Sequence, residues 1–173
     1  MYEFDTIGLI HFLSAITAMF FGVFVVFTKK GGTLHIRMGY IYVAMMVILN
    51  VTAFMIYKLM GTFGPFHIAA LISFGGIVGG MIPVIRKKPR KTWLEFHYEF
   101  MSWSVVGLYA AFWSETFSRF FRFSGFWVVV ATATAVTIAV GATLIKMKKK
   151  KVLGQFNYYN KKSQLKADLD SSQ

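Results

Sequence analysis

The sequence predicts an all-α integral membrane bundle of five transmembrane helices. Three observations predict it. Hydrophobic residues make up 56% of the chain and charged residues 15%, whereas soluble domains carry about a quarter charged residues. The apolar residues gather into five runs close to the length that crosses a bilayer, about 20 residues. The basic residues sit between those runs, so the net charge of +12 reads as a topology signal and not as a nucleic-acid surface.

The runs are Ile7–Phe27, Met38–Tyr57, Pro65–Ile85, Phe96–Trp113 and Phe126–Ile145. Each is expected to be helical, because in hydrocarbon an open chain cannot satisfy its own amides and carbonyls. Turn-like or polar connections separate them: Lys29-Lys30-Gly31-Gly32, Met60 to Pro65, Arg86 to Lys91, and Ser118 to Gly125. The connections are short, so residues 1–151 read as one membrane domain and residues 152–173 as a polar, loosely held tail. The chain opens on Glu3 and Asp5 with no basic stretch, so the first run is expected to remain as an anchor and not to be cleaved as a leader.

Charge sets the orientation. Lys29, Lys30, Arg37, the Arg86–Lys91 run and the Lys146–Lys151 run share one side, and Lys58, Arg119 and Arg122 the other. Cytoplasmic loops are the basic ones, which puts the amino terminus outside and the tail in the cytoplasm of a bacterial inner membrane. Trp93, Trp113 and Trp127 fall near helix ends, where amphipathic rings anchor at the interface. The chain has no cysteine, which excludes disulfides, thiolate metal sites and a cysteine nucleophile. It also lacks phosphate-binding glycine loops, a His-Glu-x-x-His zinc motif and a serine-hydrolase motif.

The four histidines carry the functional expectation. His11 and His67 lie at the outer ends of helices 1 and 3, His35 just before helix 2 and His97 at the start of helix 4, both at the inner face. Helices 1–4 also read as a duplicated hairpin: His11, Gly22, Lys29-Lys30 and His35 correspond in layout to His67, Gly75-Gly76, Arg86-Lys87-Lys88 and His97. Two parallel repeats imply an axis along the membrane normal that sets His11 across from His67 and His35 across from His97. Paired imidazoles in a four-helix core can ligate haem iron axially. The faces carrying them hold small residues where a flat porphyrin needs clearance: Ala15, Ala18 and Gly22 after His11, Gly39 before Tyr42 and Met46, Gly75, Gly76, Gly79 and Gly80 on helix 3, and Met101, Ser104, Leu108 and Ala111 after His97. From His11 to Phe27 the helix rises about 24 Å, so two haems b at these depths would form a wire across the bilayer. Arg37, Arg86 and Lys91 inside, with Arg119 and Arg122 outside, are the candidate propionate partners.

The run Leu34-His35-Ile36-Arg37-Met38-Gly39-Tyr40-Ile41-Tyr42 resembles the H-R-x-x-G-R-x-Y core of a bacterial family of small predicted membrane proteins of unknown function. His11 with Gly22, and His97 with Trp103, Ala110-Ala111 and Arg119, resemble its other segments, so the likeness spans roughly residues 7–122. The chain departs from that pattern after His97, where Tyr98-Glu99 replace basic residues. In architecture it is similar to ascorbate-linked diheme transmembrane cytochromes b. That likeness implies axial ligands His11 and His67 for an outer haem, and His35 and His97 for an inner one.

Other residues invite simpler readings. Glu115 shares the core-facing stripe of helix 4, with Arg119 one turn on as its expected partner. Glu95 and Glu99 are expected to pair with the Arg86–Lys91 run, and Asn50 to donate a hydrogen bond between helices. Lys146–Lys151 suits anionic lipid or a stop-transfer role. Helix 5 has no histidine, and its Ala131, Ala133, Ala135, Ala139 and Gly141 suit close packing on the bundle, on a second copy or on a partner subunit. The expected function is therefore b-type electron transfer, an oxidoreductase or its subunit, with a quinol or another small reductant or oxidant as partner. The alternative is a non-redox membrane protein, a transporter or an assembly subunit, with structural histidines.

Overall fold

The structure, a computed structural model, describes residues 6–56, 61–88, 92–120 and 125–171, without the side chains of 119–120 and 155–171. The described residues form five helices: α1 (Thr6–Phe27), α2 (Thr33–Ala53), α3 (Pro65–Arg86), α4 (Trp93–Phe120) and α5 (Phe126–Ser171). Lys58, Lys91 and Arg122 lie outside the described residues, as do the side chain of Arg119 and any pairing of it with Glu115.

Packing order is a ring with an appendage. α1 packs on α2 and α4, α3 packs on α2 and α4, and α5 packs on α4. In that ring α1 stands diagonal to α3 and α2 to α4, the arrangement expected of a duplicated hairpin. The α1–α2 turn uses Gly31 at φ 78°, a left-handed conformation that costs a glycine little. Gly64 and Pro65 open α3, with proline where its missing amide hydrogen has no helical partner to lose.

Four of the five helices are long and apolar enough to cross a membrane; α4 is the exception among them. The reason is position: α4 touches three other helices and buries Tyr98, Met101, Ser104, Val105, Leu108, Ala110 and Ser114. A helix walled by protein can carry polar residues that a lipid-facing helix cannot. The opposite condition holds at the rim, where Ile72 is 71% and Val128 68% exposed. Large aliphatic side chains bared to that extent along whole helices are compatible with lipid as the solvent and not with water. The chain is a helical membrane bundle.

The core lies mid-bundle and contains Ala18, Tyr42, Met46, Ile77, Met101, Val105 and Leu108. Every face expected to lead away from a histidine is thus turned inward on α1, α2 and α4. Tyr42, fully buried, bonds Ser104 Oγ across the ring at 2.8 Å.

Several boundaries differ from expectation. α2 starts at Thr33 and stops at Ala53, so His35 sits inside its first turn and not before the helix. α4 starts at Trp93, which moves His97 into its second turn. Hydropathy sees the apolar stretch, whereas the helix begins wherever backbone bonding can, including the amphipathic turn before it. α5 runs past the membrane segment to Ser171, where a loose tail was expected. Lys, Gln, Leu and Ala propagate a helix already nucleated in the bilayer.

Candidate functional site

The bundle's basic end is drawn together by α5. Lys149 bridges Glu95 at 2.7 Å and Glu99 at 2.8 Å. These carboxylates were expected to pair with the Arg86–Lys91 run; they meet α5 instead, because α5 packs along α4 and carries its lysines beyond the apolar span. Lys148 lies over the Phe27 ring, 3.5 Å from its centroid.

His35 and His97 come together at this end, within electrostatic reach of each other and of Lys30. His97 Nδ1 lies 2.9 Å from the Gly80 carbonyl. A carbonyl only accepts, so Nδ1 carries the proton and the lone pair is on Nε2, the tautomer that second-sphere carbonyls impose on metal-ligating histidines. His35 rests against the Val25 carbonyl, and its buried Nδ1 has no hydrogen-bond partner among the described residues. An unsatisfied buried ring nitrogen costs free energy unless something fills the place. One turn on, no atom of another helix lies within 4 Å of where a Cβ on Gly39 would sit.

Lys30, in the α1–α2 turn, is the residue sequence reasoning passed over. Its ammonium donates to the Val25 carbonyl at 2.5 Å and the Val26 carbonyl at 3.0 Å, the unsatisfied end of α1. Burial first, and the Lys148 ammonium second, push it down to about 8. Its only sequence signal was membership in a Lys-Lys-Gly-Gly turn, which reads as a topology mark.

At the other end both histidines meet the last turn of α2. His11 Nδ1 is 3.0 Å from Thr52 Oγ1. The Thr52 proton is committed to the Ile48 and Leu49 carbonyls at 2.8 and 3.0 Å, so Thr52 accepts and His11 Nδ1 donates, again placing the lone pair on Nε2. His67 is buried. Its ring stacks on Phe63 with centroids 5.0 Å apart and stands 6.2 Å from the Phe54 ring. Here the polarity is reversed: His67 Nδ1 accepts the Gly64 amide hydrogen at 3.1 Å, so a neutral ring holds its proton on Nε2. Gly64 has no side chain to return the bond, and His67 caps α3 from one side only.

The residues were tested for haem at each end. At the inner end the donors suit haem iron, with the lone pair of His97 on Nε2 and an unsatisfied nitrogen on His35, and Gly39 leaves room beside them. The outer end fits only if His67 gives up Gly64, since a ring that ligates through Nε2 must carry its proton on Nδ1. Two of the clearances expected for a porphyrin are filled, one mid-bundle and one beside His97. A Cβ on Gly22 would stand 3.1 Å from Tyr42 Cε2, and one on Gly80 2.7 Å from Met101 Sδ. Those glycines make room for side chains and not for a porphyrin.

Two expected contacts fall elsewhere. Arg37 is exposed, two residues round the helix from His35 and so turned away from it. Asn50 is buried but donates to the Met46 carbonyl of its own helix at 2.8 Å, where a bond between helices was expected. Among the described residues no three of the His, Asp and Glu side chains cluster as a metal site.

Residues 8–148 match the model of the family described as predicted membrane protein (DUF2306). The chain belongs to this family. No curated protein and no solved structure matches it. The match covers all four histidines, Lys30 and the membrane part of α5, and agrees with the likeness drawn from the His35–Tyr42 run.

Proposed function

We propose that this DUF2306 chain is a b-type haem protein of the bacterial inner membrane, carrying electrons across or within the bilayer. The observation that carries the reading is the inner pair: His35 and His97, on diagonal helices, lie within electrostatic reach of each other, with the first ring's Nδ1 unsatisfied and the second's Nδ1 held by the Gly80 carbonyl. The outer pair, His11 and His67, is read as a second site of the same kind. Haem, when bound, would supply a reversible one-electron couple, tuned by its ligands and surroundings.

This chain's residues do the rest. Gly80 and Thr52 orient His97 and His11 through their Nδ1 hydrogens. Tyr42, Met46 and Met101 exclude water from the space between the two ends. Lys30 places a cation beside the inner pair, where it would stabilise the reduced, more negative state of that site.

The test is optical. Protein expressed with haem supplied and purified in mild detergent should give a reduced-minus-oxidised spectrum with a b-type α band, and His97→Ala should remove about half of it. A folded, haem-replete preparation with no such band would sink the proposal and leave the alternative reading. That reading, a non-redox transporter or assembly subunit, has its own support in the same bonds, since His11–Thr52, His67–Gly64 and His97–Gly80 all pin helix ends.

A further inference from the structure

A cleft of about 920 Å³ runs between α1, α4 and α5, lined by none of the four histidines. Its α5 wall extends from Val128 to Val152, about 36 Å at 1.5 Å per residue, enough to cross the hydrocarbon layer. The wall is apolar in a specific way. The two tyrosine hydroxyls that border it are turned to backbone carbonyls: Tyr98 donates to Ile145 at 3.0 Å and Tyr109 to Met19 at 3.3 Å. The remaining surface is mostly the hydrocarbon of residues such as Val26, Phe27, Val105, Val140 and Leu144; Ser102, Thr132 and Thr137 add hydroxyls, that of Thr137 turned to the Ala133 carbonyl. A polar substrate would find little to bond there; an acyl chain would need nothing more.

The basic end is the opposite. Lys30 and Lys148 both line the cleft and lie close enough to repel each other. The neighbouring Lys149 takes both Glu95 and Glu99. Among the described residues no carboxylate bridges Lys30 or Lys148, whose ammoniums rest on carbonyls and on the Phe27 ring. Two uncompensated cations at the mouth of an apolar cleft, at the level of the membrane interface, complement an anionic headgroup with its chains in the cleft.

We infer that the α1–α4–α5 cleft is a specific site for one anionic phospholipid of the inner leaflet, its phosphate held between Lys30 and Lys148. The inference is independent of haem, although Lys30 would let the lipid's charge be felt at His35 and His97.

Native mass spectrometry of the delipidated full chain tests it, with phosphatidylglycerol and phosphatidylcholine of identical acyl chains as probes. One phosphatidylglycerol should bind at least tenfold more tightly than phosphatidylcholine. Lys30→Gln with Lys148→Gln should bring the two lipids within about twofold, and Lys150→Gln with Lys151→Gln should leave the preference intact. Should the first pair fail to fold, Val136→Trp, at an exposed position on the cleft wall, should block both lipids. Equal binding by the native chain, or equal loss of preference in the two lysine pairs, would overturn the inference. So would a second copy of the chain, crosslinked through Val136, in place of lipid.

Discussion

Tyr42 and Ser104 tie the core together, and their bond is asymmetric. Ser104 Oγ also bonds the Met101 carbonyl at 2.8 Å, whereas the Tyr42 hydroxyl has Ser104 as its partner. Tyr42→Phe should therefore cost about 1 kcal/mol, and Ser104→Ala, which strands a buried hydroxyl, about 1–3 kcal/mol. Denaturation in detergent should rank the two variants in that order. Lys30 offers a pH test. Its value is depressed to about 8 from 10.5, so between those limits the unfolded chain binds more protons than the folded one. Stability should then rise as pH climbs through that window. Melting from pH 7 to 10 should show the rise in the native chain and flatten it in Lys30→Met. The sequence made the four histidines visible because they are rare and fall at two depths. It hid Lys30, whose importance comes from a turn folding back on the end of α1, and it hid the polarity of the His67 bond, which depends on a backbone amide.

Helix α5 is held against α4 by close approach. A Cβ on Gly141 would run into the Val106 side chain, an overlap that something must relieve by moving. Gly141→Ala should destabilise the bundle by about 1–3 kcal/mol, and Val106→Ala in the same chain should recover most of it. Detergent melting of the two single variants and the double one reads this directly. The Lys149 bridges matter less, since both carboxylates are partly exposed; Lys149→Ala should leave the melting temperature in detergent almost unchanged. Of the small residues expected to pack helix 5 closely, Gly141 meets α4, whereas Ala131, Ala135 and Ala139 are exposed. Boundaries were less legible: apolarity marks the stretch in contact with lipid or core, and α2, α4 and α5 all begin or continue where the chain is polar but still able to form helix. Glycine stripes were ambiguous for a related reason, since Gly22 cradling Tyr42 and Gly39 facing open space look alike in sequence.

At the scale of the whole molecule, the ring of α1–α4 with α5 outside places the lysine-rich ends together, as the charge count anticipated. Reporter fusions at the carboxy terminus should be active only for a cytoplasmic reporter, and a periplasmic signal there would reverse the assignment of inner and outer pairs. Ring order was legible because a duplicated hairpin with short connections leaves few other arrangements. The most direct measurement is haem per chain by pyridine haemochrome assay on purified, haem-replete protein, with His97→Ala and His11→Ala alongside. Two haems are expected for the native chain and one for each variant, with the two variants losing different spectral components. A folded native chain with no haem, or variants that keep the native content, would contradict it.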